Sequence, residues 1–149
     1  MVNKVNVRYI KLNEFAKEPQ YANDYAAGAD LYSASNEQIT IKPSETVLVG
    51  TGIAAEIPEG YVGLVFARSG LATKKGLAPA NKVGVIDSDY RGEIKVSLHN
   101  HSDKTETIDA GERIAQLVVV PFVHASFELS SSLSETERGS GGFGSTGNK

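Results

Sequence analysis

The amino-acid sequence predicts an all-β protein, a sandwich, barrel or jelly roll, with one short helix and a flexible C-terminal arm. Three observations carry this expectation. Apolar residues recur with period two along most of the chain, the spacing that sets alternate side chains on opposite faces of a strand. Turn-forming residues separate those runs at short intervals. Long helical periodicity is absent.

Taken in order, Val5 and Val7 alternate in KVNVRYI, and Ile39 and Ile41 alternate in QITIK. Val62, Leu64 and Phe66 share one side of YVGLVFA, as Ile94, Val96 and Leu98 do in EIKVSLHN. RIAQLVVVPF is β-branched and nearly continuous, the pattern of a strand buried on both faces. Turns are expected at KPSE (42–45), IPEGY (57–61), DSDYRGE (87–93) and DAGE (109–112). Ser69 is expected to cap a helix of a turn or two through GLATKKG, which Gly76 stops. Near Ser130 the composition shifts to serine, glycine and charge. The expected organisation is therefore a core over 1–129 and an arm over 130–149 that lacks the apolar mass to fold alone.

A chain of 149 residues suits one domain. Its formal net charge of −3 argues against non-specific nucleic-acid binding, which needs a basic face. It does not exclude a small anion held by a few local cations. With no cysteine, disulfides, thiolate catalysis and cysteine-ligated zinc are ruled out, and a cytoplasmic setting is compatible. MVNKVNVRYIKLNEF has no apolar core of signal-peptide length, and LVVVPFV at 117–123 is too short to span a bilayer. No membrane association is expected.

Five stretches offer chemistry. In AAGADLYSA (26–34), Gly28 permits close backbone approach and Asp30 is a carboxylate at a strand entry, or simply a solvated turn residue. In ARSGLA (67–72), Arg68 follows a strand, Ser69 and Gly70 open the short helix, and free N–H groups there suit an anion. NKVGVIDSDYRGEIKV (81–96) reads as a β-hairpin with its turn near Ser88–Gly92. Asp87 would stand at the edge of a dry pocket, where desolvation makes a carboxylate a better base. The alternative is an ordinary turn whose Asp87 and Asp89 satisfy backbone N–H groups. In AGERIAQL (110–117), Gln116 is an amide in an apolar strand and needs a partner, either backbone or ligand. RGSGGFGSTG (138–147) carries an arginine, hydroxyls and a lone Phe143 among five glycines. His99 and His101 share a strand face but lack an evident third metal ligand.

In this order, AGADLYSA, ARSGLA, GVIDSDYRG, GERIAQL and RGSGGFGSTG closely resemble the five motifs of the trimeric dUTPase family, over residues 27–147. Glu112 departs from the pattern, standing where many members have Asp. The resemblance implies a β jelly-roll homotrimer whose three active sites each draw on all three chains. It implies hydrolysis of dUTP to dUMP and pyrophosphate with Mg²⁺ on the triphosphate, which limits uracil in DNA and supplies dUMP for dTMP synthesis.

By that resemblance Asp87 activates water, and Tyr90 packs on the deoxyribose against a 2′-hydroxyl. Asn81 and the backbone near Gly84 and Lys95 read uracil. Arg68, Ser69, Gly70 and Gln116 contact phosphate. Asp30 is a supporting carboxylate, and Mg²⁺ is held through the triphosphate and waters. Phe143 stacks over uracil, and Arg138, Ser140, Gly142, Ser145 and Thr146 contact the γ-phosphate. Rival readings are a dCTP deaminase on the same fold, a nucleotide-sensing module whose arm gates a regulatory protein partner, and a purely structural trimer.

Overall fold

The structure, a computed structural model, describes residues 4–142. Eleven strands and one helix follow in this order: β1 (Arg8–Lys11), β2 (Gln20–Tyr21), β3 (Ala29–Tyr32), β4 (Ile39–Ile41), β5 (Thr46–Glu56), β6 (Tyr61–Phe66), α1 (Ser69–Lys75), β7 (Leu77–Pro79), β8 (Gly84–Ile86), β9 (Glu93–Asn100), β10 (Glu106–Ile108) and β11 (Arg113–Pro121). They form a four-stranded sheet ordered β1-β5-β9-β7, a five-stranded sheet ordered β2-β3-β11-β6-β8, and the pair β10-β4. Every pairing is antiparallel. One apolar cluster draws on all three, with Leu31 and Ile114 from the five-stranded sheet, Ile53 and Ile94 from the four-stranded sheet, and Ile41 and Ile108 from the pair. The architecture is an all-β jelly roll, one of the three arrangements (sandwich, barrel or jelly roll) that alternation and turn spacing predict.

The four expected turns form where turn chemistry places them. Each closes through a backbone bond: Glu45 N to Lys42 O, Tyr61 N to Pro58 O, Tyr90 N to Asp87 O, and Glu112 N to Asp109 O. The strands differ more. Ile94, Val96 and Leu98 are buried as alternation requires. In β6 the core side is Gly63 and Val65, while Val62, Leu64 and Phe66 lie on the half-buried face. β11 is buried on both faces only over Ile114, Ala115 and Leu117; Val118, Val119 and Val120 are half-buried and Pro121 is exposed. The N-terminal strand starts at Arg8, so Val5 and Val7 precede it, although Val7 still packs on the core.

The longest strand, β5, lies in a stretch that period two does not single out. Gly50 and Gly52 interrupt TVLVGTGIAAE, because the strand breaks register between Gly50 and Ala54. Its first half pairs with β9, and its second half pairs with β1. Gly52 makes this possible: its φ is +65°, and a Cβ there would stand 2.7 Å from the Ala16 Cβ.

Two local expectations are corrected. The residue at the N-cap of α1 is Arg68, in extended backbone and with no side-chain cap bond; Ser69 is already helical. Arg68 is instead drawn to a carboxylate elsewhere, as described below. Gly76 does end the helix, in the left-handed conformation, with its N–H on Ala72 O. The second correction concerns 81–96. Its two arms do not pair with each other: β8 bonds to β6 in one sheet, and β9 bonds to β5 and β7 in the other. The Asp87–Gly92 turn therefore bridges the sheets rather than closing a ladder.

Beyond Pro121 the chain leaves the body. Phe122 N bonds to Gly60 O, and from there to Gly142 no strand or helix forms among the described residues. Val123, Phe127, Leu129 and Leu133 are almost fully exposed. The departure comes earlier than the compositional shift at Ser130, because apolar residues continue along a segment that touches no core. Among the described residues no helix is long and apolar enough to cross a membrane.

Candidate active site between two open strand edges

The divergence of β8 from β9 opens a cavity of about 380 Å³. Asn81, Gly84, Val85, Ile86, Asp87, Tyr90, Glu93 and Lys95 line it, with Leu48, Val65, Pro79, Val96 and Ser97. β8 is an edge strand, paired only on its β6 side. β7 pairs with β9 only over Leu98–Asn100, so the Glu93–Val96 stretch of β9 is open on the side away from β5. Two strand edges thus present main-chain N–H and C=O groups toward one space, at a separation too wide to bond each other.

The turn at the cavity mouth is held in detail. The Tyr90 hydroxyl donates to Glu93 O at 2.9 Å. This folds the ring over Gly92, where a Cβ would stand 2.5 Å from the Tyr90 oxygen. Any larger residue at 92 would displace the ring. The Glu93 carboxylate accepts from Gly52 N in the β5 bulge at 2.9 Å and lies 3.6 Å from Lys95 Nζ. Asp87 lines the cavity, and among the described residues no protein donor bonds its carboxylate. The alternative in which Asp87 and Asp89 serve only to satisfy turn N–H groups is therefore not what forms.

A second group of expected residues gathers on β3, β6 and β11. Asp30 is buried, and its two oxygens are taken by two arginines: Arg68 Nε at 2.8 Å and Arg113 at 3.2 Å. Gln116 stands opposite Asp30 on one side and Phe66 on the other. Its amide donates to Ala67 O at 2.9 Å, the backbone alternative for this residue. Gly28 makes room for it, since a Cβ there would meet the Gln116 Oε1 at 2.6 Å. Ser69 and Gly70 are exposed in the first turn of α1, and the space around Gly70 is open. None of these residues lines the cavity that holds Asp87.

The third group lies on the arm. Arg138 Nε bonds to Gly141 O at 2.9 Å, within the arm itself. Ser140 and Gly142 lie beside it, also away from the cavity. Phe143, Ser145 and Thr146 lie outside the described residues.

His99 and His101 do meet, edge to face with ring centroids 4.4 Å apart. The His99 Nδ1 is occupied by Thr46 Oγ1 at 2.8 Å. Partial desolvation, then the neighbouring His99 and Lys82, lower the His101 pKa below the usual histidine value. Among the described residues no three His, Cys, Asp or Glu side chains converge.

Sequence reasoning missed Gly92, Glu93 and Arg113. Each acts by shaping another residue, through the Tyr90 ring, the β5 bulge and Asp30 respectively. That kind of role leaves no signature until the partners are in place.

A β jelly roll that sets a carboxylate and an aromatic ring beside two open strand edges defines a class: an enzyme-like pocket for a flat, hydrogen-bonding ligand. Comparison with known proteins narrows the class. The dUTPase family model matches residues 15–147. The deoxyuridine 5'-triphosphate nucleotidohydrolase of Desulfitobacterium hafniense is 50% identical over 145 residues, covering 97% of this chain and 96% of that protein. Its counterpart in Hydrogenobaculum sp. is 52% identical over 139 residues, covering 93% and 96%. The structure of the Staphylococcus bacteriophage 80alpha dUTPase with dUPNHPP superposes with a TM-score of 0.88 at 30% identity, covering 97% of this chain and 99% of that one. A mutant dUTPase of phage phi11 of S. aureus, described with a structural Mg(II) ion, superposes with a TM-score of 0.79 at 27% identity, covering 88% and 100%. The chain belongs to the dUTPase family.

Proposed function

We propose that the protein is a dUTP diphosphatase that acts as a homotrimer in the cytoplasm, releasing dUMP and pyrophosphate. The observation that carries this reading is the cavity between β8 and β9, where a base can take the place of the missing strand ladder. Uracil offers O4, N3–H and O2 in alternation, which matches the alternation of main-chain donors and acceptors near Gly84 and Lys95. Asn81 lies on the same wall. Cytosine reverses two of those groups and leaves buried partners unsatisfied, which selects strongly against it. Thymine adds a methyl that the backbone wall excludes. Tyr90, fixed over Gly92, packs on the sugar and leaves no space for a 2′-hydroxyl.

Asp87 is the catalytic residue. It aligns a water and takes its proton as the water oxygen bonds to the α-phosphorus and the bond to the pyrophosphate oxygen breaks. Arg68, Ser69, Gly70 and Gln116 bind phosphate, with Asp30 holding Arg68 in place. Arg138, Ser140, Gly142, Ser145 and Thr146 close on the γ-phosphate, and Phe143 stacks over the base. The donor chemistry suits Mg²⁺ carried by the triphosphate and reached through water, since both Asp30 oxygens are already engaged by arginines. When bound, Mg²⁺ neutralises phosphate charge.

The trimer is supported by separation. The three groups of site residues lie apart within one chain, and the arm carries its apolar side chains bare of any core. Assembly brings base-reading, phosphate-binding and closing groups from different chains to one nucleotide, and concentrates cations that a chain of net charge −3 otherwise lacks. The test is pyrophosphate release from dUTP compared with dTTP, dCTP and UTP, with and without Mg²⁺. Selective, Mg²⁺-stimulated release from dUTP is expected. Ammonia release from dCTP would move the assignment to a deaminase on this fold.

A further inference from the structure

The turn from Asp87 to Gly92 carries both the base and the sugar-packing ring, yet no strand ladder holds it, because its flanking strands belong to different sheets. One backbone bond within the turn, Tyr90 N to Asp87 O at 3.1 Å, ties the two residues, and a side chain can reinforce it. Arg91 is placed to do so. One of its terminal nitrogens donates to Ser88 O at 2.6 Å and to Tyr90 O at 3.1 Å, spanning the turn from within. Its other terminal nitrogen lies 3.5 Å from Glu56 at the end of β5, and Glu56 is itself paired with Arg8 of β1. Arg91, Glu56, Arg8 and Asp89 line a separate cleft that shares no lining residue with the cavity holding Asp87 and Tyr90.

Resting on the diphosphatase reading above, we infer that Arg91 is a positioning residue that sets both turnover and sugar selectivity by bracing the Asp87–Gly92 turn through its carbonyls. A planar guanidinium presents several donors in fixed directions, so one group can hold two carbonyls and an anchor together. The carbonyls it holds belong to the residue after Asp87 and to Tyr90 itself. Slack in this brace moves the carboxylate relative to the α-phosphorus and the ring relative to the sugar. All three contacts of Arg91 are exposed, and the Glu56 link, the longest, contributes least.

The experiment uses the full chain and measures kcat and KM for dUTP and UTP, with melting temperature and oligomeric state recorded for each variant. Arg91→Ala is expected to lower kcat for dUTP about tenfold, in keeping with the steep cost of small misplacements, and to lower the dUTP/UTP preference several-fold. Arg91→Lys keeps the charge but cannot hold two carbonyls and Glu56 at once, so it should fall between. Glu56→Gln should give the smallest change. If Arg91→Ala fails to assemble, Arg91→Lys decides the matter. A variant that melts lower yet retains wild-type kcat and preference well below its melting temperature overturns the proposal and makes Arg91 a stability residue. Wild-type protein that leaves dUTP intact overturns the diphosphatase reading instead, and is told apart by that control alone.

Discussion

The Asp87–Gly92 turn and the C-terminal arm are both glycine-containing segments between or beyond strands, and both carry residues of the proposed site. They are built in opposite ways. The turn is tied from several directions: Tyr90 to Glu93, Arg91 to Ser88 and Tyr90, and Glu93 to Gly52. The arm, after Phe122, bonds only to itself among the described residues, as Arg138 does to Gly141 and Gly139 N does to Thr136. The difference separates two tasks. On the proposed reading, groups that meet a reacting atom at fixed geometry are braced within one chain. On the same reading, groups that close over a bound polyanion are ordered by ligand and neighbour, and glycines raise the entropic cost of that ordering.

That contrast breaks most sharply at Asp87. Asp87→Asn is expected to leave assembly and nucleotide binding intact while kcat falls by about 10²–10⁴-fold, the usual worth of a general base. Near-wild-type turnover would remove it from that role. Truncation before Arg138 probes the other side. The trimer and its melting temperature should persist while kcat/KM drops by about 10²-fold, the scale of lost charge stabilisation. Loss of the folded trimer would show that the arm from 138 onward belongs to the core.

Tyr90→Ala sharpens the comparison. It should relax the dUTP/UTP preference by about tenfold, with a smaller effect on kcat for dUTP. An unaltered ratio would mean that another group excludes the 2′-hydroxyl. The smallest effect is expected from Gly28→Ala. The new Cβ would collide with the Gln116 amide, and the lost bond to Ala67 costs about 1–3 kcal/mol. A lowered melting temperature with a modest rise in KM is the expected pattern. Unchanged values for both would show that Gln116 can rotate away at no cost.

Legibility in the sequence followed the range of the interactions involved. The turns at 42–45, 58–61, 87–90 and 109–112 were readable because residue types within four positions dictate them. The buried alternation of Ile94, Val96 and Leu98 was readable for the same local reason. That Val62, Leu64 and Phe66 share a face of β6 was readable, but which face meets the core was not, because Gly63, which carries no side chain, lies on the core side. β5 was overlooked because its glycines serve a bulge against Ala16 and the Glu93 carboxylate, contacts distant in sequence. Ser69 looked like a cap because serine caps helices in general, whereas Asp30, 38 residues earlier, holds the neighbouring Arg68.

By itself, then, the sequence determined the strand and turn vocabulary, the family motifs and the residue types available for chemistry, all of which depend on short-range pattern. Only the tertiary structure decided that the two arms of 81–96 part into different sheets. Pairing partners are chosen by the burial of whole sheet faces, which no local stretch encodes. That separation is what leaves two strand edges open across one cavity and makes the turn between them depend on side chains for its support.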